Sequence, residues 1–238
     1  MTAVIVACLT PNSAFLRPSW TIRFAMIELL QEAYRYAVEH QGELWGAIVQ
    51  HLRLVGVALG ISIVLCVPLG IWTARSQVAA TTIINFFNAL RVIPSLAVLF
   101  LAIPYFGLSF TSAAIALTLL ALPPVLINTD AAYRTIDHAI REAAQGMGMT
   151  RNQMLWRVET PLALPVIVAG IRTAATEVIA SATLAAFIGS GGLGLYIVRG
   201  FSLYSIPILL VGAIPVGLLT LGSELLLGGL YRMLEPPR

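Results

Sequence analysis

The chain has 238 residues, of which 58% are hydrophobic and only 11% are Asp, Glu, Lys or Arg, far below the roughly 25% charge of an average soluble domain. That composition belongs in a membrane, and at roughly 20 residues per spanning helix five or six crossings leave no room for a large soluble catalytic domain. All 14 cationic residues are Arg, so mechanisms that need a lysine, such as a P-loop or a Schiff base, are excluded. The formal charge of +3 is dispersed and gives no nucleic-acid footprint. Cys8 and Cys66 suggest neither a disulfide framework nor a metal site.

Met1 to Leu16 is too short to span and is broken by Pro11. Ile5-Val6-Ala7-Cys8 has the outline of a lipoprotein cleavage site, without the basic region such a signal carries. From Thr21 to Ala37, Ile22, Met26, Leu29, Leu30, Ala33 and Ala37 recur at helical spacing, which predicts a surface helix leading to Trp45 as an interfacial anchor. Residues 1–46 form this N-terminal segment, and a membrane domain follows over 47–232.

Charge-free stretches place crossings at about 54–74, 79–103, 110–128, 162–188 and 206–231. The second is read as one helix with Arg91 and Pro94 near its middle. Arginines in short loops stay preferentially in the cytoplasm. In a five-crossing topology Arg75, Arg134, Arg141, Arg151, Arg157, Arg232 and Arg238 share one side, which puts the C-terminus and residues 130–160 inside. Arg17, Arg23 and Arg35 then lie in an external N-terminal segment, so a sixth, early crossing is the alternative topology.

Residues 130–160 hold about a third of all the charged side chains, and a connection this long in a compact domain is functional or disordered. Ala131 to Ala144 is rich in helix formers, Gly146 and Gly148 break it, and Thr150-Arg-Asn-Gln153 is a capping box that starts a second short helix, ended by Pro161. Met147, Met149, Met154, Leu155 and Trp156 are then apolar residues outside the bilayer. They offer either a docking surface for another protein or packing onto the chain's own membrane helices.

Glu142-Ala143-Ala144, then Gly148 after three residues, then Val158 and Pro161, resembles the cytoplasmic EAA motif of the permease subunits of binding-protein-dependent ABC importers. Thr160 departs from the Leu usual in that motif. Similarity extends over Glu43 to Tyr231. Arg91-Val-Ile-Pro-Ser-Leu-Ala97, Ala169-Gly-Ile-Arg-Thr-Ala174 and Ala185-Ala-Phe-Ile-Gly-Ser-Gly-Gly-Leu-Gly194 look like the glycine betaine, carnitine and choline permeases of that superfamily, which commonly carry Gln-Thr in place of Arg91-Val92.

The resemblance implies an all-α integral membrane protein: five transmembrane helices of the type I ABC importer permease fold with a cytoplasmic coupling helix, in the inner membrane of a prokaryote. It also implies a permease that does no covalent chemistry. The partners would be a cytoplasmic ATPase dimer, which binds the ATP and Mg, a second identical or paralogous permease, and an extracytoplasmic solute-binding protein. The ATPase-coupling residues would be Glu142, Ala143, Ala144, Gly146, Gly148, Met149, Trp156 and Pro161, with Glu142 capping or pairing with an arginine. Other small solutes such as amino acids, or a stand-alone secondary transporter, are the competing readings.

Gly189, Gly191 and Gly194 spell a dinucleotide fingerprint, but no strand precedes them and no βαβ unit follows. They read instead as a glycine-rich external loop. Arg91, Arg172, Glu177 and Glu224 lie inside the membrane, where charge is costly and indicates a pathway or interhelical pairs. Arg172 and Glu177 are about 140° apart on a helix, so partners on neighbouring helices are expected. Gly170, Ala174, Ala182 and Ala186 allow tight packing, within the subunit or between two permeases. An intramembrane enzyme is disfavoured because His40 and His51 precede the first crossing and His138 follows the third.

Overall fold

The computed structural model describes residues 19–235; the Cys8 segment lies outside them. Ten α-helices follow in order: α1 (Ser19–Glu39), α2 (Gln41–Thr73), α3 (Gln77–Val92), α4 (Ser95–Phe106), α5 (Phe110–Arg134), α6 (His138–Gly146), α7 (Arg151–Met154), α8 (Thr160–Ser181), α9 (Gly194–Ser202) and α10 (Ile206–Leu234). A π-helical turn, Leu155–Glu159, joins α7 to α8, and a 3-10 segment, Ala182–Ile188, extends α8. There are no strands among the described residues. Among the described residues four stretches are long and apolar enough to cross a membrane, and α3 with α4 makes a fifth if the bent pair is counted as one span.

Central α5 is buried between α2 and α8. Pro123 and Pro124 lie inside it, and side chains bond to the carbonyls around them: Asn128 Nδ2 donates to Pro124 O at 2.8 Å and Thr129 Oγ1 to Val125 O at 2.7 Å. Where α8 crosses α5, a Cβ on Gly170 would stand 2.5 Å from Asn128 Cβ. Only glycine admits this approach. Ala174 and Ala182 are fully buried in the same core, so these small residues pack helices within the subunit. By contrast, Leu218, Leu221, Leu225, Leu226 and Met233 of α10 are exposed, the surface a hydrocarbon layer would cover.

Several helices differ from their sequence-based limits. The first spanning helix begins at Gln41 rather than near 54, because a charge-free scan finds only the apolar part of a helix whose first turns are polar. Trp45 therefore sits within α2, exposed. The second crossing is two helices bent by 91°. Pro94 lacks an N–H and drives Ile93 into an extended conformation (φ −73°, ψ 122°). The helix expected over 131–144 is interrupted after Arg134, and Asp137 restarts it by accepting from Ala139 N at 3.0 Å.

Pro161 does not end a helix. It occupies the first turn of α8, where its missing N–H is tolerated, and the wider π turn before it lets the helix run on from Arg151 to Ile188.

Candidate coupling surface and membrane charge sites

Side-chain bonds gather the arginine-rich ends of the helices. Arg134 Nε donates to Asp130 Oδ2 at 2.7 Å, and its other nitrogens reach Gln77 Oε1 (2.7 Å), Thr73 O (2.7 Å) and Ser76 O (3.2 Å). One guanidinium thus clamps the α2–α3 turn onto the end of α5. Arg141 of α6 donates through Nε to Glu159 Oε1 at 2.8 Å and through Nη2 to Tyr133 O. Arg75 Nη2 stands 3.9 Å from Glu159 Oε2. Glu159 is buried at the foot of α8, so its carboxylate ties α6 and the α2–α3 turn to the helix that runs up to Ile188.

On this base sits the Glu142 segment. Ala144 is buried, whereas Glu142, Ala143, Gly146, Gly148, Trp156 and Pro161 are exposed and Met149 is half-buried. Glu142 pairs with His138 one turn before it, Nδ1 to Oε1 at 3.2 Å, and not with an arginine. Gly146 is simply the last residue of α6. Gly148 makes the turn: with φ +75° it closes a Schellman motif in which Gly148 N donates to Gln145 O (2.9 Å) and Met149 N to Ala144 O (3.2 Å). Thr150 then forms the capping box with Gln153.

The apolar residues divide between the two readings. Leu155 packs on Ala132, Tyr133, Ile136, Ala163 and Ile167, while Met147 and Trp156 stay 70% and 67% exposed. Thr160, where the motif usually has Leu, exchanges the apolar contact for a 2.9 Å hydrogen bond with Tyr133 Oη. Glu159, Arg141 and Tyr133 escaped sequence reasoning as a cluster. The signal available was a carboxylate two residues before Pro161, at the polar end of a crossing.

Deeper in the chain, Arg91 of α3 donates from Nη2 to Glu177 Oε1 of α8 at 2.6 Å. Arg172 of α8 bonds Glu224 of α10. Arg91, Arg172, Glu177 and Glu224 thus form two interhelical pairs, both on α8.

At the opposite end, Gly189 (φ +70°) terminates the 3-10 segment, and Gly191 and Gly192 also adopt positive φ. The loop lies on the start of α2, where Gln50 Nε2 donates to Ser190 O at 3.1 Å. His51 does not precede the crossing; it is fully buried inside α2, its Nε2 3.1 Å from Ile179 O. A carbonyl only accepts, so Nε2 carries the proton. Ser190 Oγ donates to Ala185 O. Histidine and serine are thus each bonded to a backbone carbonyl. Tyr105 and Phe106 line a groove at the α3–α4 bend.

Comparison with known proteins agrees with this architecture. Residues 66–237 match the family model described as binding-protein-dependent transport system inner membrane component. The carnitine transport permease protein OpuCB of Listeria monocytogenes is 44% identical over 79% of this chain and 86% of its own length. The osmoprotectant import permease protein OsmW of Salmonella typhimurium is 39% identical over 86% and 98%. The choline transport system permease protein OpuBB of Bacillus subtilis is 38% identical over 82% and 90%. An inward-facing structure of the MetNI methionine ABC transporter superposes with a TM-score of 0.73 at 20% identity, covering 83% of this chain and 99% of that one, which makes the fold that of an ABC importer permease. The chain belongs to the family of binding-protein-dependent transport system inner membrane components.

Proposed function

We propose that this chain is the permease subunit of an ATP-driven importer for a quaternary-ammonium osmoprotectant such as glycine betaine, carnitine or choline. The observation that carries the solute class is the set of near-full-length relatives named for carnitine, choline and osmoprotectant transport. Two permease chains enclose the path, a solute-binding protein docks at the glycine-loop end, and an ATPase dimer seats α6, α7 and the exposed Met147 and Trp156. The arginine-rich end and the C-terminus are cytoplasmic.

Force enters at the coupling segment and reaches the membrane through Glu159 and the continuous helix from Arg151 to Ile188. At 1.5 Å per residue that rod is roughly 55 Å long. It connects the docking surface with Arg172, Glu177 and finally the glycine loop. Nucleotide-driven closure of the ATPases would tilt the rod and turn the cavity from inward to outward facing; hydrolysis would reset it.

Growth in high salt tests the solute class. A strain lacking its own osmoprotectant uptake is expected to recover when the permease is supplied with its ATPase and binding protein and any of the three solutes is added. Recovery on none of them, with amino-acid uptake instead, would refute it.

A further inference from the structure

Between α8 and α10 lies an open cavity of about 430 Å³ lined by Ala169, Arg172, Thr173, Thr176, Glu177 and Glu224. Arg172 is the thirteenth residue of α8, roughly 18 Å along the helix by its rise, near the middle of a bilayer core of about 30 Å. Hydrocarbon cannot solvate three charges and two hydroxyls. The chain leaves this face uncovered, Thr173 being exposed, whereas the uncovered leucines of α10 suit lipid. The cavity therefore faces water or another polar surface.

Its polar groups are arranged with unequal saturation. Thr173 and Thr176 donate to the carbonyls of Ala169 and Arg172, which leaves their oxygens as acceptors. Glu224 pairs with Arg172 across the cavity. Glu177 gives one oxygen to Arg91, while its other oxygen, Oε2, is buried without a hydrogen-bond partner among the described residues; the side chain as a whole is 29% exposed and lines the cavity. Arg172 and Glu177 are five residues apart, about 7 Å along the helix and about 140° around it, and both line the cavity.

We infer that this cavity is a transit site on the translocation path that orients a compact zwitterion, its carboxylate replacing Glu224 on Arg172 and its quaternary ammonium lying at Glu177. The inference rests on the solute class proposed above and adds which residues meet each end of the solute. Choline, which has no carboxylate, would use only the Glu177 end.

The test uses the complete importer in proteoliposomes. Arg172→Gln combined with Glu224→Gln removes both charges and leaves no orphan. It is expected to cut glycine betaine uptake about tenfold, the order of one lost charge-assisted bond, while choline uptake changes less than about twofold. Glu177→Gln is expected to lower both. A purely structural pair would lower both solutes in parallel in the double variant, and that result, or no change at all, overturns the inference.

Thr173→Cys, in a chain with Cys8→Ser and the buried Cys66 retained, is expected to react with a water-soluble thiol reagent in the assembled importer. Failure to react overturns the inference even if assembly is weakened by the charge variants or if the importer carries zwitterions only. A wild-type importer that carries choline but not glycine betaine also overturns it and leaves the solute class standing. One that carries neither these nor carnitine refutes the solute class itself.

Discussion

Gly148→Val is expected to abolish solute uptake while the permease still inserts in the membrane. Gly148 sits at φ +75°, a conformation that costs an ordinary L-residue roughly 1–2 kcal/mol and a β-branched one more. The turn ends α6 and starts α7, so losing it moves the exposed face of α6 and α7, proposed above to dock the ATPase, relative to Glu159. No heavy atom beyond its immediate chain neighbours lies within 4 Å of where a Cβ would be; the effect is conformational and not a clash with packed neighbours. Asparagine tolerates the left-handed region, so Gly148→Asn is expected to retain a substantial part of the uptake. Gly148→Asp satisfies the backbone similarly but adds a charge to the surface proposed to meet the ATPase, and is expected to uncouple ATP hydrolysis from uptake. Membrane-inserted permease is measured by blotting, and uptake and ATPase activity in the reconstituted complex. Undiminished uptake in Gly148→Val would remove the coupling role from this turn.

The second large effect is expected at Glu159. Its carboxylate holds Arg141 at 2.8 Å and faces Arg75 at 3.9 Å. Removing one partner of a fully buried pair costs about 3–5 kcal/mol. Here Arg141 is 30% and Arg75 55% exposed, and water screening reduces the figure to about 1–3 kcal/mol. Glu159→Gln should therefore free α6 from the foot of α8 and lower uptake about tenfold. Faster amide hydrogen exchange is expected in 138–147, with α10 unaffected. Combining Glu159→Gln with Arg141→Gln should cost much less than the two separate losses added together, because the pair acts as one unit. Strict additivity would show that the two side chains work independently.

What was legible in the sequence had local causes. The charge-free runs marked α5 and α10, because a bilayer-spanning helix must be apolar over its length. The Thr150 capping box and the break at Gly148 were readable because each is written within four or five consecutive residues. The spacing from Glu142 to Pro161 marked the segment proposed as the coupling surface.

Features set by distant residues were not legible. Arg91 meets Glu177 across 86 positions, and no periodicity encodes that. Pro94 reads as lying within one crossing helix, and nothing local shows the bend of 91° between two separate helices. Pro161 misled because a proline following a polar helical segment normally ends it, whereas a π turn here carries the helix through. His51 looked external only because polar residues surround it in sequence; burial comes from the glycine loop folded over it, with Gly192 placed so that a Cβ would lie 3.4 Å from His51 Nδ1.

The most direct test of the account is uptake of labelled glycine betaine into proteoliposomes that contain this permease, its ATPase and its binding protein. Uptake is predicted to require all three proteins and ATP on the side of the ATPase, and to stop when a non-hydrolysable ATP analogue replaces ATP. Uptake that persists without ATP or without the ATPase would contradict it and make the chain a secondary transporter.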